Sequence, residues 1–123
     1  MKERKKVLLV DDEPIVCERL KPALEKLGFY VESYTESQKA VDRVMEEGFD
    51  VLVTDLKMQK PDGLEVMDFV KQHSPSTKVI IITGFATVET ATETMKSGAA
   101  DFIAKPFRIR DLCDLIVKLT SGD

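Results

Sequence analysis

Lys6-Val7-Leu8-Leu9-Val10-Asp11-Asp12-Glu13 carries four apolar residues in a row and then stops on three acids. A strand with one wet face alternates apolar and polar residues. An unbroken apolar run instead suits a strand covered on both faces, as in a parallel sheet. Val51–Thr54 and Val79–Ile82 read the same way. Tyr30–Tyr34, Y-V-E-S-Y, is part polar, and Phe102–Ala104 is very short, so these two strands belong at sheet edges.

Helical patterns fill the intervals. The first is expected over Pro14–Leu27, with Val16, Leu20, Ala23, Leu24 and Leu27 inward, Gly28 as its stop and Pro22 kinking it or breaking a hydrogen bond. The second spans Ser37–Glu47, with Ala40, Val41 and Val44 inward and Gly48 as a stop. The third spans Leu64–His73, with Leu64, Met67, Phe69 and Val70 apolar. The fourth spans Val88–Lys96, with Val88, Ala91 and Met95 inward and Gly98 beyond it. The fifth spans Ile109–Leu119, with Ile109, Leu112, Leu115, Ile116 and Leu119 at helical spacing. Strand and helix in regular alternation predict an α/β fold with helices on both faces of the sheet, because crossovers between parallel strands are right-handed. Three covered strands and two weaker ones fit a flavodoxin-like doubly wound five-stranded parallel sheet of order 2-1-3-4-5, whose edges are the second and fifth strands.

Composition narrows the class. The chain has 123 residues, 43% hydrophobic and 33% charged, which matches one ordinary globular domain and excludes collagen-like, disordered and disulfide-scaffold classes. Its apolar runs fall far short of the roughly 20 residues of a membrane span. The basic start, Met1–Lys6, precedes too short an apolar run for a secretory signal, so a cytoplasmic protein is expected. A net charge of −4 gives no electrostatic reason for direct nucleic-acid binding. Cys17 and Cys113 lie far apart, and the single His73 cannot complete a zinc site, so both thiols are expected to be buried and reduced.

In a doubly wound sheet, ligands bind beyond the carboxyl ends of the strands, where the strand order reverses. Those ends carry Asp11 and Asp12, Asp55, Thr83, and Lys105-Pro106. Two carboxylates about 4 Å apart repel by roughly 4 kcal/mol at an effective dielectric near 20. A hard divalent cation such as magnesium would let all three stay ionised. Lys105 adds a positive charge and Thr83 a hydroxyl donor, which together make up the parts of a phosphoryl-transfer site. One carboxylate can then serve as the nucleophile.

At these residues the chain resembles the receiver domain of two-component response regulators, over essentially its whole length. The motifs are Lys6 through Glu13; Val53-Thr54-Asp55-Leu56-Lys57-Met58 with Asp62-Gly63; Ile82-Thr83-Gly84; and Gly98 through Phe107. The resemblance implies that residues 1–123 form a single receiver domain. It makes Asp55 the phosphoacceptor, and Asp11, Asp12, Asp55 and the Lys57 backbone carbonyl the magnesium ligands. It makes Thr83 the switch hydroxyl, Lys105 the partner of a phosphoryl oxygen, Lys105-Pro106 a cis peptide and Phe102 the aromatic switch. It further implies a sensor histidine kinase as phosphodonor, and a domain that assists its own phosphorylation and dephosphorylation. The output surface would comprise the fourth helix, fifth strand and fifth helix, with a possible homodimer on phosphorylation. Thr83 through Phe107 looks most like receivers joined to ATP-dependent transcriptional activators. Two positions depart from the pattern: Gln59 follows Met58 where proline is common, and Phe102 replaces the usual Tyr.

Plainer readings stand beside these. Asp11-Asp12-Glu13 also reads as acids at a helix start, Thr83 as a β-branched strand end, Lys105 as a surface lysine and Phe102 as an edge-strand core residue. His73 reads as a surface residue. Three other functions compete. A haloacid-dehalogenase-type phosphohydrolase would want D-x-D after the first strand, not Asp11-Asp12, and a cap segment. A flavin binder would want a hydroxyl- and glycine-rich loop there. A phosphorylation-independent pseudo-receiver would not need the acidic pocket intact.

Overall fold

The computed structural model describes residues 4–121; residues 1–3 of the basic start, and 122–123, lie outside the described residues. Strands and helices alternate as β1 (Lys6–Val10), α1 (Pro14–Lys26), β2 (Tyr30–Tyr34), α2 (Ser37–Glu46), β3 (Val51–Asp55), α3 (Gly63–His73), β4 (Lys78–Thr83), α4 (Val88–Lys96), β5 (Asp101–Ala104) and α5 (Ile109–Thr120). The five strands form one parallel sheet of order β2-β1-β3-β4-β5, as expected.

The central strands are buried on both sides because their alternate residues feed two cores. Val7, Leu9, Val51, Val53, Ile80 and Ile82 meet Leu20 and Leu24 of α1 and Leu112 and Ile116 of α5. Leu8, Val10, Leu52 and Ile81 meet Ala40 and Val44 of α2 and Val66, Met67 and Val70 of α3. Burying each large side chain contributes about 1.5–3 kcal/mol, which favours this register over a one-residue slip. Cys17 and Cys113 are buried free thiols, and burial, followed by the field of Asp11, pushes the Cys17 thiol up to about 11. His73 is exposed and stacks on Phe69.

Two helix details differ from the sequence reading, at Leu27 and in α4. Leu27, placed inward by periodicity, is exposed just past the end of α1, where Gly28 turns the chain with φ +96°. Pro22 lies inside α1, as expected, and sits on its solvent face. Helix α4 is the larger departure. Val88 is 84% exposed and Met95 44%, while the buried residue is Thr94. The helix leans on the sheet through its threonine side and leaves its largest apolar side chains in water.

Edge strand β2 is clasped to α2 by charge. Glu32 accepts hydrogen bonds from Arg43 Nε and Nη2, each at 2.7 Å, and from the hydroxyls of Tyr30 at 2.6 Å and Tyr34 at 2.8 Å. Arg43 also pairs with Glu47, which in turn pairs with Lys6. The fork of hydrogen bonds from Arg43 holds the Glu32 carboxyl down at about 2. A depressed acid stabilises the fold fully above its unfolded value and loses that contribution as pH falls towards its folded value. Glu32→Gln is therefore expected to cost roughly 1–2 kcal/mol at pH 7. The deficit should narrow between pH 4.5 and pH 2, as urea denaturation at pH 7 and pH 3 would show. An equal deficit at both values would mean that shape, not charge, holds the clasp.

Candidate functional site

Register assembles the site. Val10 pairs with Thr54, so the next residue on each strand, Asp11 and Asp55, emerges side by side where β1 and β3 diverge. Ala104 pairs with Thr83, which sets Lys105 just past β5 on the same rim; its backbone N–H donates to the Thr83 carbonyl at 2.8 Å. Lys105-Pro106 is cis, as the resemblance implies, and so is Lys60-Pro61.

Carboxylate oxygens of Asp11, Asp12 and Asp55 lie within 4.8 Å of one another. Asp11 and Asp55 are buried and Asp12 is exposed. Lys105 Nζ donates to Glu13 Oε1 at 2.7 Å and, more weakly, to Asp55 Oδ2 at 3.4 Å. Asp11 Oδ2 is 2.8 Å from the ammonium but off the hydrogen-bonding direction, so this buried oxygen has no directed donor. Its other oxygen accepts from the Glu13 backbone N–H at 2.8 Å.

The electrostatics follow from burial. Desolvation pushes the Asp55 carboxyl above the usual range, and the charge of Asp11 adds to this against the pull of Lys105. Desolvation likewise raises Asp11, opposed by Lys105 and the Glu13 amide. Burial works against the charge of Lys105, yet Asp11, Glu13 and Asp55 outweigh it and hold the amine above its ordinary range. Three crowded carboxylates, one with an orphaned buried oxygen, fit a hard cation with oxygen preference.

Thr83 is fully buried, and its hydroxyl accepts from the Phe85 N–H at 3.0 Å. Phe102 is half-buried against the α2–α3 core. The Lys57 side chain is exposed on the loop after Asp55. That loop is anchored by Ser37, whose hydroxyl donates to the Gln59 carbonyl at 3.3 Å. It ends on a reciprocal cap in which Asp62 and Glu65 each accept the other's backbone N–H at 3.0 Å. Sequence reasoning singled out Asp11, Asp12, Asp55, Thr83 and Lys105, and all five lie at this rim. It missed Glu13 as a contact of Lys105. The available signal was a glutamate at a helix N-cap, where Ser, Thr, Asp or Asn is preferred.

The fold and rim define a doubly wound α/β domain with an acidic, lysine-backed pocket at its switch point. The family model for the response regulator receiver domain matches residues 7–117. The chain is 33% identical over 123 residues to the response regulator protein PilR of Pseudomonas aeruginosa, covering 98% of this chain and 28% of that protein. It is 35% identical over 115 residues to the response regulator receiver protein CpdR of Brucella abortus, covering 94% of this chain and 96% of that one. A solved CheY-like response regulator receiver domain protein from Methanospirillum hungatei JF-1 superposes with a TM-score of 0.89 at 30% identity, covering 95% of this chain and 94% of that chain. The chain belongs to the response regulator receiver domain family, and it is a phosphorylation-controlled signalling domain of two-component systems.

Proposed function

We propose that Asp55 accepts a phosphoryl group from the phosphohistidine of a sensor kinase in a magnesium-dependent reaction. The observation that carries this is the placement of Asp55 at the switch point, between two further carboxylates and the Lys105 ammonium. An Asp55 carboxylate oxygen attacks phosphorus, the P–N bond of the donor breaks, and the imidazole leaves with the electron pair and takes up a proton. Lys105 pairs with a phosphoryl oxygen and the Thr83 hydroxyl donates to another, so charge is stabilised where it develops. Asp11, Asp12, Asp55 and the Lys57 carbonyl would hold magnesium, which would neutralise the carboxylate and phosphoryl charges. Attack of water on phosphorus in the same setting returns Asp55 and releases phosphate. The domain thus assists its own phosphorylation and dephosphorylation and acts on no other substrate.

The output surface is α4, β5 and α5. Phe85, Val88 and Met95 already present apolar area there. A Thr83 hydroxyl drawn to the phosphoryl group releases the Phe85 N–H and gives Phe102 room to turn inward, which needs no partner for a phenolic hydroxyl. The surface then engages an output domain, a partner protein or a second copy, in the cytoplasm. The 28% share of PilR that the chain covers supports a receiver within a longer chain, and the 96% share of CpdR one that works alone; residues 1–123 form a single domain in either case.

The test is intact-mass spectrometry after incubation with magnesium and acetyl phosphate. One added phosphoryl group that disappears in chelator supports the reading; an unchanged mass ends it. Asp12→Ala is expected to weaken magnesium binding at least about tenfold, the cost of losing one charged oxygen ligand. Titration monitored by amide shifts measures this, and wild-type affinity in the variant would remove Asp12 from the ligand set. With beryllofluoride as phosphoryl mimic, wild type should shift amides through residues 85–102 and Thr83→Ala only those of the pocket. Equal changes in both proteins would show that the switch bypasses Thr83.

A further inference from the structure

We propose that Glu13 is a positioning residue, which holds the Lys105 ammonium at the β1 wall of the pocket until a phosphoryl group on Asp55 draws it across. The inference rests on the reading of Asp55 as phosphoacceptor and names a device that sets how readily the site accepts the group. Three observations carry it.

The first is the ranking of contacts. The ammonium donates to Glu13 at 2.7 Å, lies 2.8 Å from Asp11 Oδ2 off the hydrogen-bonding direction, and reaches Asp55 only at 3.4 Å, so its shortest directed hydrogen bond is with the residue that takes no part in transfer. The second is that Glu13, among the described residues, uses its side chain for no other hydrogen bond. It is the N-cap of α1, in extended conformation at φ −91° and ψ 106°, yet its side chain makes no capping hydrogen bond. Glu36 and Arg108, the N-caps of α2 and α5, also make no capping hydrogen bond; what sets Glu13 apart is that its carboxylate reaches a pocket residue 92 positions away. The third is exposure. The Glu13 side chain is 60% exposed and that of Lys105 only 15%, so the lysine is half-buried while its partner is wet. Such a pair is weak enough to exchange for a phosphoryl group carrying about −1.5 to −2 charge, placed on the buried side of the same ammonium. The Glu13 backbone N–H also fixes Asp11 Oδ1, so one residue orients both the lysine and its nearest buried neighbour.

The competing explanation is that Glu13 only adds negative field to an anion site. A double-mutant cycle separates the two. Beryllofluoride is titrated at saturating magnesium into wild type, Glu13→Gln, Lys105→Ala and the double variant, followed by amide shifts. Glu13→Gln is expected to tighten binding about fivefold, the upper range for a pair with one solvated partner. In the Lys105→Ala background the same change should alter affinity by less than about twofold. Equal tightening in both backgrounds, or none in either, overturns the proposal. A second readout needs no phosphoryl chemistry. In metal-free protein the Lys105 ammonium should exchange its protons with water faster, and its Cε resonance should move, in Glu13→Gln. Unchanged Lys105 signals also overturn the proposal. Wild type that binds no beryllofluoride at any concentration would remove the Asp55 reading, and the Lys105 signals then decide the Glu13 contact by themselves.

Discussion

Asp55→Asn is expected to gain no phosphoryl mass and, in metal-free buffer near pH 7, to be more stable than wild type. The first result follows from removing the nucleophile. The second follows from the sign of the titration shift. Burial and the charge of Asp11 raise the Asp55 carboxyl above its unfolded value. An acid raised in the folded state costs stability as pH climbs from the ordinary carboxylate range through the folded value, and the penalty is complete above it. Substituting a neutral amide of the same shape removes that penalty. The gain is reduced by the lost contact with Lys105 at 3.4 Å. Magnesium should narrow or reverse the order. A ligand at a hundred times its Kd adds about 2.7 kcal/mol to the native state, and the variant has lost one ligand carboxylate. Urea denaturation with and without magnesium measures both terms. A metal-free variant less stable than wild type would mean that Lys105 already neutralises the pocket, and full phosphoryl labelling of the variant would place the acceptor elsewhere.

Gly63→Ala is expected to cost about 3 kcal/mol and to loosen the pocket. Gly63 opens α3 directly against the end of β3. A Cβ built there would lie 2.3 Å from the Asp55 carbonyl oxygen and 2.7 Å from Leu56 Cα. Both are backbone atoms of a buried segment, and the Gly63 N–H donates to the Leu56 carbonyl at 3.0 Å, so neither side can step back without breaking that bond. The main chain that aims Asp55 would have to move instead, so magnesium affinity should fall together with stability. Gly48→Ala is the control: nothing lies within 4 Å of its added Cβ, and its stability should stay within about 0.5 kcal/mol of wild type. Urea midpoints and magnesium titrations of both variants test this. A Gly63→Ala protein as stable as wild type would show that the α3 start is free to shift.

The strand order and the chemistry of the rim were legible from the chain because both rest on local signals. Unbroken apolar runs such as Val7–Val10 and Val79–Ile82, short and set between helical patterns, suit strands covered on both faces, and a parallel sheet delivers every strand end to one edge. Asp11, Asp12, Asp55, Thr83 and Lys105 therefore met where their positions after those runs implied. Which side of a helix is buried is a different kind of question. In α4 the apolar stripe pointed to Val88 and Met95, but the sheet beside it ends in the short strand β5, and the helix rests there on Thr94 instead. A weak stripe does not outvote the shape of the surface it must fit. Charge partners were still less readable. Nothing along the chain pairs Glu32 with Arg43, and although an N-cap glutamate sets Glu13 apart, nothing there names Lys105, 92 residues on, as its partner. Ion pairs form wherever the packed backbone happens to bring opposite charges within reach, so only the folded molecule decides whether an exposed acid is a solvated surface group or the residue that restrains the lysine of the site.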